Sequence, residues 1–286
     1  MKLPEFETIE LALHGPLGRI TLNRPERLNA VGATMMRDLI AAAKLFDERL
    51  EVRVVIVSGA GRAFCAGADL QDSPLSGASP QSGRGASPKS ARGASPRSEC
   101  SWAERRELGQ LGLRMADALE GMRAVTIARV HGYAVGGGLV LAAVCDLRVA
   151  AEDAVFSIPE IELGIPLAWG GIPRLVREIG PALTKELVMT CRRFTPAEAK
   201  AAGFLNRVVP AQQLDAEVEA LAAQLLAMPT VPVTITKEHV NSVARAMGAG
   251  TTAFADGDAL LSAAFDPESL AAAERYMAKT VRRKKT

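Results

Sequence analysis

The chain has 286 residues, with 34 Lys and Arg against 32 Asp and Glu, and 48% of it is apolar. That length can bury a full core and fits one large domain with an extension. The near-neutral balance supplies no broad basic field, so nucleic-acid binding is not expected.

The four cysteines, Cys65, Cys100, Cys145 and Cys191, show no CxxC or Cys/His spacing. This argues against both a metal site and a disulfide framework. The first ten residues are acidic and lack an apolar leader segment. The run 130–145 is too short and too glycine-rich to span a membrane. A cytoplasmic protein with no membrane partner is the expectation.

In chain order, residues 6–13 and 18–22 alternate apolar and polar side chains, predicting two strands joined at His14-Gly15-Pro16-Leu17. Pro25 ends that unit. A helix follows over 33–48, with Met36, Leu39, Ile40, Ala43 and Phe46 on one face. Strand 53–58 runs into a glycine-rich corner, residues 59–70. Residues 101–122 read as helix and 125–130 as a buried strand. The chain then passes through Gly136-Gly137-Gly138 into a short apolar helix near Leu139. Strands at 146–150 and 154–157, a loop over 159–171, a helix opening at 170–175, further helices at 181–189 and 196–202, and a strand at 206–209 complete this part. Beyond Pro210 helical periodicity dominates: 212–227, 232–246, 252–264 and 268–281.

Residues 71–100 are of a different kind. A Gly-Ala-Ser-Pro unit recurs at Gly77, Gly85 and Gly93, a period of eight. Ser, Gly, Pro and Arg bury too little apolar surface to offset the loss of chain entropy, so a disordered insertion is expected. It reads as a neutral repeat expansion or as a regulatory or docking element.

Two strand-to-glycine corners carry the chemistry. Glycines leave backbone N–H groups uncovered, and the first N–H groups of a helix lack intrahelical acceptors and sit at its positive end. Such corners hold phosphates, carboxylates or oxyanions. The segments FCAGADL (64–70), HGYAVGGG (131–138), PEIELG (159–164) and GGIPRL (170–175) stand in one order and spacing. Together they resemble the crotonase (enoyl-CoA hydratase/isomerase) superfamily, over about residues 20–210.

The resemblance implies an α/β fold, a crotonase-like spiral of ββα repeats with a C-terminal helical region. Residues 1–210 would form the core and 211–286 a helical trimerisation region, giving a homotrimer or a dimer of trimers. Those last helices would alternatively cover the chain's own core. The implied substrate is an acyl-CoA thioester, with coenzyme A as part of the substrate and no separate cofactor. Its carbonyl oxygen would lie between the N–H groups of Ala68 and Gly137. Ala66 and Leu70 would border the adenine, and the loop containing Arg27, Leu28 and Ala30 would approach the rest of the CoA. Gln71 stands where many relatives place a lysine.

Hydratases of this family use two glutamates. The second matches Glu160, after Pro159; at the first this chain has Val140. Valine moves no proton, so a single-glutamate isomerase with Glu160 as base and then acid is the leading expectation. Altered or residual hydration, or a non-catalytic acyl-CoA-binding protein, are the alternatives. The additional acid of dienoyl-type isomerases falls at Ala168, which disfavours that activity. Leu167, Ala168 and Trp169 would line the acyl pocket next to Gly136; Trp169 either narrows it or simply packs. His131 reads as structural, Cys65 as packing, Glu162 as a surface charge, and Asp69 as a turn-fixing residue at the edge of the substrate site.

Overall fold

The computed structural model describes residues 3–70, 101–247 and 255–283. The insertion expected at 71–100 lies outside them. β1 (Ile9–His14) and β2 (Leu17–Leu22) form an antiparallel hairpin with His14 opposite Leu17. The turn is therefore narrower than the four-residue connection expected. β2 then pairs in parallel with β3 (Val54–Gly59), and β3 with β4 (Val125–Val130). β4 pairs with β6 (Leu147–Ala151), and β6 with β8 (Arg207–Val209). The result is a six-stranded sheet, order β1-β2-β3-β4-β6-β8, beside a two-stranded sheet of β5 (Tyr133–Val135) and β7 (Val155–Ser157).

Parallel strands are covered on both faces, and β3 shows how the sequence meets that demand. Its side chains alternate between two cores. Val55 and Val57 face one built around α1 (Ala33–Asp47) and α2 (Trp102–Glu120), with Met35, Leu39, Phe46, Met115 and Leu119. Val54 and Ile56 face the other, with Ile127, Val149 and Ala151. That second face is closed by α6 (Leu214–Ala227) through Leu214, Val218, Leu221 and Ala222, one stripe at helical spacing. The first helix of the C-terminal region thus covers the chain's own sheet.

Ser101 caps α2, accepting from the Glu104 N–H at 3.3 Å, while the Glu104 carboxylate takes the Ser101 N–H at 2.7 Å. This reciprocal pairing satisfies two donors at the helix start. α3 (Gly137–Ala143) begins two residues earlier than its apolar pattern suggests, because glycine opens it. α4 (Gly171–Thr190) is broken at Gly180, ahead of Pro181, merging what the sequence divides into two helices. α5 (Pro196–Ala201) leads to β8.

α7 (Thr230–Met247) is anchored by Lys237, whose Nζ donates to Ala124 O and Asp146 Oδ2, both at 2.7 Å. Its Val231, Val240, Val243 and Met247 are exposed. α8 (Asp256–Ala263) crosses α2 where Gly109 and Gly257 let the backbones meet, and Asp258 binds Arg106 at 2.8 Å. α9 (Pro267–Arg283) starts against the loop after β7, with Ser269 O on Gly164. Among the described residues no single helix is long and apolar enough to cross a membrane.

Candidate active site

Backbone pairing joins the two glycine corners. Phe64 N donates to His131 O, Cys65 N to Tyr133 O, and Val135 N back to Cys65 O, at 2.9, 2.9 and 3.1 Å. Residues 64–65 therefore run alongside β5, the short strand that sequence reading missed. Gly67 has φ +96, and a Cβ there would sit 2.7 Å from Val135 O and 3.6 Å from Gly137 N. Only glycine allows this approach, and it brings the next residue, Ala68, to the start of α3. On the other side Val31 N donates to Gly67 O and Asp69 N to Val31 O, at 2.8 and 2.9 Å. Among the described residues, the N–H groups of Ala68 and Gly137 meet no backbone acceptor. Gly137 N is also the first N–H of α3.

Glu160 meets this corner from the loop after β7. Its carbonyl accepts Leu163 N and Ile165 N, both at 3.0 Å, which fixes the residue in a turn. Its side chain points inward and only 9% of the residue is exposed. Oε1 lies against Gly136, whose φ is +51 and where any Cβ would overlap that oxygen. Among the described residues Oε2 has no hydrogen-bond partner. Burial pushes the carboxyl up to about 7, and a hydrogen bond from its own backbone N–H offsets only part of that rise. A buried carboxyl with an unused oxygen and a pKa near neutrality can both accept and return a proton.

The surrounding wall is apolar. Trp169, Leu167 and Ala168 are buried, and Val140 is 1% exposed on α3. A Cβ on Gly171 would lie 2.9 Å from both Val140 Cγ2 and Leu167 Cδ2. The indole of Trp169 fills the space over Gly137, where a Cβ would overlap Cζ3, and its other edge does the same at Gly112. Glu162 is exposed, as expected.

The loop before α1 is fastened to the first corner. Asp69 receives Arg24 Nη2 and Arg27 Nη2, each at 2.9 Å, so it ties two arginines of that loop as well as standing in its own turn. Leu28 O accepts Ala66 N at 2.9 Å, and Ala30 O accepts Arg24 Nη1 at 2.7 Å. Arg27, Leu28, Ala30, Ala66 and Leu70 all keep partly exposed surface along this seam, as does Pro159 beside Glu160.

Sequence reading passed over Asn29. It is fully buried, with Nδ2 donating to Ala60, Ala63 and Phe64 carbonyls at 2.9, 2.8 and 3.3 Å. Its Oδ1 accepts Arg24 N at 2.9 Å. Its φ is +57, a conformation Asn tolerates better than most residues. Asn29→Ala leaves several buried groups unpaired and is expected to cost about 1–3 kcal/mol, measured by urea unfolding.

His131 is held between Arg129 Nη1 at its Nδ1 and Gly61 O at its Nε2, 2.8 and 2.9 Å away. Burial lowers its pKa, and its two bonds fit a neutral structural ring. Burial likewise raises Cys65 to about 12, which leaves it an inert thiol.

A buried carboxyl with a pKa near neutrality, beside two backbone N–H groups without backbone acceptors, is an arrangement able to serve chemistry at a carbon next to a carbonyl. The enoyl-CoA hydratase/isomerase family model matches residues 14–86 and 99–279. A probable enoyl-CoA hydratase of Mycobacterium bovis is 35% identical over 237 residues, covering 82% of each chain. A peroxisomal Δ(3,5)-Δ(2,4)-dienoyl-CoA isomerase of Arabidopsis thaliana is 33% identical over 241 residues, 83% of this chain and 82% of the other. Among solved structures, an enoyl-CoA hydratase subunit of Geobacillus kaustophilus superposes with a TM-score of 0.71 at 33% identity, covering 85% and 84% of the two chains. The chain belongs to the enoyl-CoA hydratase/isomerase family and has the crotonase fold; the family acts on acyl-CoA thioesters.

Proposed function

We propose that this protein shifts a double bond along an acyl-CoA chain, using Glu160 as its single proton carrier. The thioester oxygen sits between Ala68 N–H and Gly137 N–H. The Glu160 carboxylate removes a proton from C2 of a 3-enoyl thioester, and the electron pair moves onto that oxygen as an enolate. The same carboxyl returns the proton at C4, leaving the double bond between C2 and C3. Two preorganised donors aimed at the oxygen stabilise the enolate, and one such donor is worth about 10²–10³ in rate.

The observation that carries this reading is the buried Glu160 carboxyl, one oxygen of which has no hydrogen-bond partner among the described residues, while Val140, where the sequence lacks a second acid, is buried and apolar. Hydration needs water positioned and protons passed between two groups, and one carboxyl suits a shuttle better. A second reading, hydration by Glu160 alone, is favoured by the hydratase names of the Mycobacterium bovis and Geobacillus kaustophilus relatives.

Parallel assays on a 3-enoyl-CoA and a trans-2-enoyl-CoA separate the two. Isomerisation is expected to exceed hydration in the natural chain, and Val140→Glu is expected to raise hydration by about 10²-fold. Hydration outrunning isomerisation in the unmodified protein would overturn the assignment.

The CoA moiety lies along residues 24–30 and past Ala66 and Leu70. We further propose self-association as a trimer or a dimer of trimers through α7, where Val240, Val243 and Met247 recur at i, i+3 and i+7 on exposed surface. Light scattering in solution reads the assembly directly.

A further inference from the structure

We infer that Trp169 is a length gauge that restricts the site to short acyl chains. The inference rests on the thioester reading above. Trp169 has φ +59, a left-handed conformation that is costly for a bulky residue. It is held there with only 7% of its surface exposed. Its ring spans from α2 to α3: one edge occupies the volume of a Cβ at Gly112, the other that of a Cβ at Gly137. The sequence thus leaves out a side chain at both ends of the indole.

Packing alone would explain one such contact; the second falls on the residue whose N–H faces the thioester oxygen. An acyl chain that starts at that N–H and runs inward meets the six-membered ring within its first carbons. The bypass next to it is closed by Val140 and Leu167, which crowd Gly171. The turn carrying the indole is itself pinned, as Gly170 N donates to Asp256 Oδ2 at 2.7 Å and Arg174 Nη1 to Trp169 O at 3.2 Å. A wall held from both sides does not swing aside, so chain length is limited sterically.

The test is kcat/KM for 3-enoyl-CoAs of four, six and ten carbons, alongside calorimetric affinity for butanoyl-CoA and decanoyl-CoA. It uses the unmodified chain, Trp169→Ala and Trp169→Phe. The unmodified chain should prefer the four-carbon over the ten-carbon substrate by at least about tenfold, and Trp169→Ala should raise the ten-to-four ratio by at least about tenfold. Trp169→Phe, which keeps an aromatic ring and guards against a misfolded Ala variant, should fall between. Equal use of both lengths by the unmodified chain, or an unchanged ratio in both variants, overturns the gauge. Length-selective binding without turnover would remove the proposed reaction and leave the gauge standing.

Discussion

Glu160→Gln is expected to lower kcat for 3-enoyl-CoA isomerisation by about 10²–10⁴, with acyl-CoA affinity changed only a few-fold. Gln fills the same buried volume and can keep the contact with Gly136, but it takes no proton. The unmodified enzyme should show kcat/KM rising with pH through about 7, because the carboxylate is the form that abstracts the proton. The variant's residual activity should lack that limb.

Stability gives a second, independent readout. Folding raises this carboxyl from an ordinary value near 4.5 to about 7, so the folded state holds a proton that the unfolded chain has released. Stability therefore falls as pH rises through that window, and by pH 8 the penalty reaches about 3 kcal/mol. Glu160→Gln should be the more stable protein at pH 8, with the gain vanishing below pH 4.5. Denaturant unfolding at both pH values measures it.

Gly136→Ala is expected to be nearly as damaging, for a different reason. The residue has φ +51, and a methyl group there would overlap Glu160 Oε1. Backbone strain and overpacking together should cost about 2–4 kcal/mol of stability. If the fold survives, the carboxyl is displaced from the corner, and kcat should fall by about 10²-fold while CoA-thioester binding persists. Gly61→Ala is a useful contrast: also at positive φ (+72), it would meet Pro25 Cβ at 2.8 Å, away from Glu160. It should therefore cost stability without this loss of kcat.

The architecture was largely legible because its signals are local. The unbroken apolar, β-branched run at residues 54–57 announced a buried strand, and helical periodicity placed α1, α2 and the C-terminal helices within a few residues. What escaped depends on contacts distant in sequence. β5 has three residues and forms because Val155 and its neighbours pair with it on one side and Cys65 on the other. The start of α3 at Gly137 runs against glycine's low helix propensity and is set by the corner around it. Asp69 was legible as a turn residue, but its arginine partners came into view only with the loop folded over it.

In the site, Glu160 could be named from its surrounding motif. Its burial, its free oxygen and its seat on Gly136 could not, because they arise where two distant loops meet. The two faces of Trp169 were equally hidden, since Gly112 lies on a helix outside every recognisable motif. A substituted position such as Val140 is visible in sequence as a missing acid; only packing shows that the space is filled by apolar neighbours instead.

The most direct test of the account is a crystal structure with a bound butanoyl-CoA or a non-hydrolysable analogue. It should show the thioester oxygen about 2.7–3.2 Å from both Ala68 N and Gly137 N, with the Glu160 carboxyl facing the C2 and C4 positions. A thioester oxygen bound by neither amide, or a Glu160 side chain turned away from the acyl carbons, would contradict it.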